Sequence, residues 1–156
     1  MTSPDPVAPT RPNNAADAAL FDAVTTEHAT IYGYGIVSAH SIPEVNYLVS
    51  DAMAQHRSRR ESAIAMLADA GVAAPVPAAG YSLPMEVDAP TDAAKLAVTM
   101  EQDSATAWRA VIEQATDQST RAFAVTALTD SAVTAARWRR VSGEPTITVA
   151  FPGGSE

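Results

Sequence analysis

Cysteine is absent from this chain. Its absence excludes disulfides, thiolate nucleophiles and any cysteine-ligated zinc or iron–sulfur site. Positive charge is scarce: Lys95 is the single lysine beside nine arginines, and the net charge is −8 over 156 residues. Binding to nucleic acid or to an anionic membrane surface draws on cations set against phosphates, so neither partner is expected. Aromatic residues make up only 6% of the chain, so a core must come from close approach of helices with few large side chains. No apolar run approaches the roughly 18 residues of a bilayer span, and the N-terminus lacks a basic-then-apolar signal pattern. Cytoplasm is the default expectation.

What is present is helical. Residues AVILMFWYC supply 47% of the sequence, much of it alanine, the strongest helix former. The length suits one domain with a single core. The larger apolar side chains available for it are Leu20, Phe21, Ile31, Leu48, Leu67, Trp108, Ile112, Phe123, Leu128 and Trp138. Periodicity predicts four helices, Asn14–Ala39, Pro43–Ala70, Thr91–Ala115 and Gln118–Val141. Residues 1–13, with four prolines, read as a flexible leader. Residues 143–156 read as an extended tail, in which Ile147, Val149 and Phe151 alternate with polar neighbours. That tail either packs on a groove of its own bundle or reaches onto a partner subunit.

Each helix carries one polar side chain near its midpoint: Glu27, His56, Glu101 and Asp130. Steps of three and four place Glu27 on the stripe of Leu20, Val24, Ile31 and Tyr34. His56 falls on the line of Val45, Val49, Ala52, Ala63 and Leu67, with Arg60 or Arg59 one turn on. Glu101 falls on that of Val98, Ala105, Trp108, Ile112 and Ala115. On the fourth helix two faces compete, one through Phe123, Ala127, Asp130, Thr134 and Arg137, the other through Ala124, Leu128, Ser131, Ala135 and Trp138. At about 1.5 Å rise per residue, side-by-side helices would bring the four polar groups within roughly 3 Å of one level. Bundles build metal and cofactor sites in such layers.

Short turns join helices one and two, and three and four, so each pair is an antiparallel hairpin. Gly71–Pro90, with four prolines, lies between the hairpins. It could extend to about 65 Å, more than the roughly 40 Å length of the helices. Two hairpins joined by one long crossover is the ferritin-like arrangement.

The blocks Glu27–Gly35, His56–Glu61, Trp108–Arg109, Leu128–Ala132, Ala136–Arg139 and Val149–Gly153 resemble, in order, an actinobacterial ferritin-like family known only as a domain of unknown function. The resemblance covers about residues 17 to 153 and implies an all-α, ferritin-like four-helix bundle without assigning an activity. Ferritin-like di-iron proteins use one Glu on each of two helices and Glu-x-x-His on the other two. Glu27 and Glu101 match the single glutamates, and His56 fits one motif histidine, with Met53 in the glutamate place. On the fourth helix Asp130 stands near the glutamate place and Val133 where histidine belongs.

Two functional readings follow. In the first, Glu27, Arg60, Glu101 and Arg137 form a buried ionic network, because guanidinium forks suit buried carboxylates. The protein then needs no cofactor and acts through association, as a homodimer. In the second, Glu27, His56, Glu101 and Asp130 bind iron or manganese in a divergent metal protein or di-metal oxidoreductase. A third class, a small-ligand binder anchored on the polar layer, would show a pocket near Trp108. His28 and His40 are expected to face outward or cap a helix end. The arginine clusters at 57–60 and 137–140 are expected to be solvated. Gly33 and Gly35 inside the first helix point to close approach by a neighbour.

Overall fold

The computed structural model describes residues 7–154; residues 1–6 of the expected leader and the last two of the tail lie outside. The described residues contain four α-helices and no strand. They are α1 (Ala15–His40), α2 (Asn46–Asp69), α3 (Pro90–Gln114) and α4 (Gln118–Ser142). Local chemistry sets the ends. The Asn14 side chain accepts from the N–H groups of Ala16 and Asp17, and Asp117 accepts from that of Thr120, so both satisfy donors that a helix start leaves orphaned. Asp92 does the same for Ala89 N–H at the start of α3. A 3-10 turn, Pro43–Val45, precedes α2, so its regular part begins three residues later than the proline suggests. Arg11 folds back on Asp22 with Nη2 2.7 Å from Oδ2, in an exposed pair.

Side-chain pairings fix the directions. Trp108 meets Glu27 and Glu101 meets Tyr34, so α3 runs antiparallel to α1. Trp138 meets Tyr34, and Ser131 shares Arg59 with Glu27, so α4 runs parallel to α1. With α2 hairpinned against α1, α2 and α3 are parallel, which requires a connection spanning the bundle's length. The crossover supplies it. Val72 packs on the cluster around Leu67 and Trp108, whereas Leu83, Met85 and Val87 pack on the cluster around Leu48 and Trp138. On its way it passes α1, where His28 Nε2 lies 3.0 Å from Pro75 O and Tyr32 stacks obliquely on Tyr81, centroids 5.3 Å apart. His28 is therefore buried, because the crossover covers the face of α1 that would otherwise be open. His40 caps the other end of α1, its Nδ1 3.0 Å from Ile36 O.

The core is two clusters. One gathers Tyr34, Val37, Leu48, Val49, Leu96 and Trp138; the other gathers Leu20, Phe21, Val24, Leu67, Trp108 and Val111. The polar residues lie between them. α1 contacts both α2 and α3, α3 also packs on α4, and α2 meets α4 only sparsely.

The glycines of α1 differ. A Cβ at Gly33 would run into Met100 Sδ, whereas one at Gly35 would meet nothing within 4 Å. Close approach explains the first glycine and not the second. Gly143 closes α4 at φ +78, where an L side chain is strained even in open space. Gly35→Ala should therefore stabilise the protein by about 0.5–1 kcal/mol, and Gly143→Ala should destabilise it by about 1–2 kcal/mol. Urea unfolding midpoints with unchanged slopes would check both signs.

Candidate functional site

Three of the four mid-helix residues converge. His56 Nδ1 lies 2.6 Å from Glu27 Oε2, and its Nε2 lies 3.0 Å from Glu101 Oε1. The imidazole bridges α1 to α3 from α2, and all three residues are at most 1% exposed. Asp130 does not join them: its carboxylate is half exposed and reaches only Arg59, at 3.9 Å.

The two indoles fix the direction of their own hydrogen bonds. An indole N–H only donates, so Glu27 Oε1 accepts from Trp108 Nε1 at 2.7 Å. Tyr34 accepts from Trp138 Nε1 at 3.0 Å. The hydroxyl proton of Tyr34 is then free to point at Glu101 Oε1, 2.5 Å away. With Glu27 held below its ordinary value and His56 raised to about 9, both ring nitrogens are protonated at neutral pH and face carboxylate oxygens. His56 is an imidazolium held between two carboxylates.

Arg59 adds the second cation. Its Nη1 donates to Glu27 Oε1 at 3.3 Å and to Ser131 Oγ at 3.1 Å. The 3.4 Å approach of Arg59 Nη1 to His56 Nδ1 brings together two donors that serve the same carboxylate, and is no hydrogen bond. Ser104 donates to Glu27 Oε1 at 3.3 Å and accepts from Ser131 at 3.1 Å. Two carboxylates, one imidazolium and one guanidinium leave the layer neutral. That balance is what makes four buried charges tolerable, because each isolated ion would cost several kcal/mol.

The titration shifts follow. Burial opposes the charged form of His56, but the hydrogen bonds and negative charges of Glu101 and Glu27 outweigh it and lift the pKa from 6.5 to about 9. Burial would raise Glu27; His56, Arg59 and the Trp108 N–H together hold it below its ordinary value. Burial and the neighbouring Glu101 charge push Tyr34 well above the usual tyrosine range, so it stays a neutral donor.

The arginines expected in the layer, Arg60 and Arg137, are elsewhere. Arg60 Nη2 pairs with Glu61 at 2.7 Å on the outside of α2, and Arg137 is exposed on α4. Their places inside are taken by Arg59 and, near the end of α4, by Arg139, which pairs with Glu144 at 3.6 Å and donates to Ile147 O. The cause is helix rotation. Burying the whole Trp138 indole removes more apolar area than any other choice on α4, and it turns Ala124, Ser131 and Ala135 inward with it. Asp130 and Arg137, one residue off that face, turn outward. The residues not anticipated in the layer are Ser104, Ser131, and Trp108 and Trp138 as polar donors. Tyr34 stood on the Glu27 stripe, two turns away, which was the available signal.

A four-helix bundle with a neutral, buried ionic layer at mid-height is the class that fold and site define. The chain belongs to the family described as a domain of unknown function (DUF4439), which matches residues 19–156. It is similar to a conserved hypothetical protein, rv2844, from Mycobacterium tuberculosis, whose crystal structure matches with a TM-score of 0.82. The two are 62% identical, over 83% of this chain and 98% of that one. A comparison with curated proteins returns no match. No helix among the described residues is long and apolar enough to cross a membrane.

Glu27→Gln removes one charge and strands His56 and Arg59, and should cost on the order of 3–5 kcal/mol in urea unfolding. The pH dependence has two signs. A histidine raised to about 9 contributes stability that is full below 6.5 and lost as pH rises through 9, on the order of 3 kcal/mol. A glutamate held below 4.5 contributes above that value and loses it as pH falls through the folded pKa. Stability measured from pH 3 to 10 should therefore be highest at about pH 4.5–6.5, and His56→Leu should flatten the alkaline limb.

Proposed function

We propose that this protein is a ferritin-like bundle whose polar layer is a structural ionic network, and that it acts by protein–protein association as a homodimer. The observation that carries the reading is the double engagement of His56. A metal ligand must offer a ring-nitrogen lone pair; here both nitrogens lie within hydrogen-bond distance of Glu27 and Glu101, and the pKa lifted to about 9 keeps both protonated at neutral pH. The rest of the donor set supports the same view. Met53 and Val133 stand where the ferritin-like motifs require Glu and His, and Asp130 turns to the surface. No three His, Asp or Glu side chains among the described residues are placed to hold a metal ion. The donors as arranged do not fit one.

Association is supported by the outer face of α4. Val125 and Val133 are 47% and 46% exposed, with Thr129 between them at helical spacing, and Phe151 of the tail is 71% exposed. A β-branched stripe on α4 and an exposed phenylalanine on the tail are the kind of apolar surface that marks interaction sites.

Sedimentation at micromolar concentration should give a dimer, and Val133→Glu should give a monomer with an unchanged unfolding midpoint; a monomeric wild type would overturn the association. Anaerobic incubation with Fe(II) and Mn(II), desalting and elemental analysis should leave no stoichiometric metal. One or two equivalents retained by the wild type and lost in Glu27→Gln would instead make this a divergent carboxylate–histidine metal protein.

A further inference from the structure

The two glutamates of the layer are not equally satisfied. Glu27 receives donors on both oxygens, whereas Glu101 receives its donors on Oε1 alone. Glu101 Oε2 is buried with no hydrogen-bond partner. A buried carboxylate oxygen left bare is expensive, more so than a neutral acceptor, in a layer where the sister residue is fully served.

Glu101 also lines a cavity of about 250 Å³ between α3 and α4. The space exists because Ala105 on α3 and Ala132 and Ala135 on α4 put only methyl groups at the seam. The tail roofs it. Gly153 sits at φ +75, so close that a Cβ would come 2.6 Å from Ala105 O. The cavity therefore lies under the tail, beside Glu101, and not near Trp108, which is fully buried against Phe123.

We propose that this cavity is a binding site for a small neutral molecule of about one ring, whose hydroxyl or amide N–H donates to Glu101 Oε2. The size argument is direct. A cavity of about 150 Å³ accepts benzene and drug-sized ligands need about 300 Å³ or more, so this one lies between. The charge argument selects neutrality: two carboxylates already balance His56 and Arg59, and an added cation would leave the layer positive. The walls select the body, which faces alanine methyls, Val149, Phe151 and Pro152, with Gln102, Thr106 and an Arg139 already paired with Glu144 as the polar part of the lining. The donor is selected by Oε2, the one buried acceptor of the layer without a hydrogen. The site shares Phe151 with the surface offered for association but not Val133, so Val133→Glu leaves its lining unchanged and tests the two independently.

The test uses the full chain with alanine methyls labelled for NMR, titrated with benzyl alcohol, benzamide and toluene. Benzyl alcohol and benzamide should give saturable shifts centred on Ala105, Ala132 and Ala135, and toluene should bind about tenfold more weakly or worse, because it cannot hydrogen-bond a buried charge. Glu101→Gln should shrink that preference. Since that change also touches the layer, Ala132→Phe fills the cavity from the rim and leaves the layer intact; it should abolish the shifts. Gly153→Val should lift the roof and weaken binding about tenfold or more, since the interfering atom is backbone. No saturable shift at millimolar probe would mean a cavity holding water alone and would overturn the proposal. Equal binding of toluene, or undiminished binding by Ala132→Phe, would overturn it too.

Discussion

The bundle is organised around one imidazolium held between two carboxylates. His56 cannot satisfy both ring nitrogens unless α1 and α3 present Glu27 and Glu101 at the same height on opposite sides of it. The layer therefore admits one axial register of three helices. Sliding any of them by a turn would strand an ion in an apolar cluster, at a cost of several kcal/mol. An all-alanine seam would not discriminate in this way, because one methyl packs much like the next. Ionic complementarity supplies the uniqueness that a core poor in large side chains lacks.

The indoles make that arrangement durable. Trp108 and Trp138 are fully buried, one in each apolar cluster, and each turns its single N–H towards the layer from its own side. Each ring thus packs against aliphatic neighbours along its body and contributes a hydrogen bond at its edge. Tyr34 relays the Trp138 hydrogen bond to Glu101 and keeps its own proton. The layer is closed above and below by the same residues that build the two half-cores.

The four helices, the two hairpins and the crossover were legible because each rests on local signals: apolar steps of three and four, Asn and Asp caps, a proline-rich segment long enough to run the bundle's length. Glu27, His56 and Glu101 were legible as core positions because each interrupts an otherwise apolar stripe. The choice between Arg59 and Arg60, and between Ser131 and Asp130, was not. Adjacent residues on a helix differ by about 100°, and two neighbouring faces of α4 looked equally apolar. Only the burial of Trp138 settles the rotation, and that depends on Tyr34, more than a hundred positions away in the chain. His28 was misjudged for a related reason: its cover comes from the crossover, which has no periodicity to read.

The sparse meeting of α2 and α4 leaves a groove lined by Ser58, Arg59, Ala127 and Asp130. Elsewhere the layer is walled by indoles, aliphatic side chains and the tail. Arg59 is the member of the layer that lines this groove, its Nη2 3.9 Å from the half-exposed Asp130 carboxylate. Water entering from that side therefore meets a guanidinium, which holds its protons at every pH, so on this side the layer shows the medium a fixed charge while the titrating imidazole stays behind it.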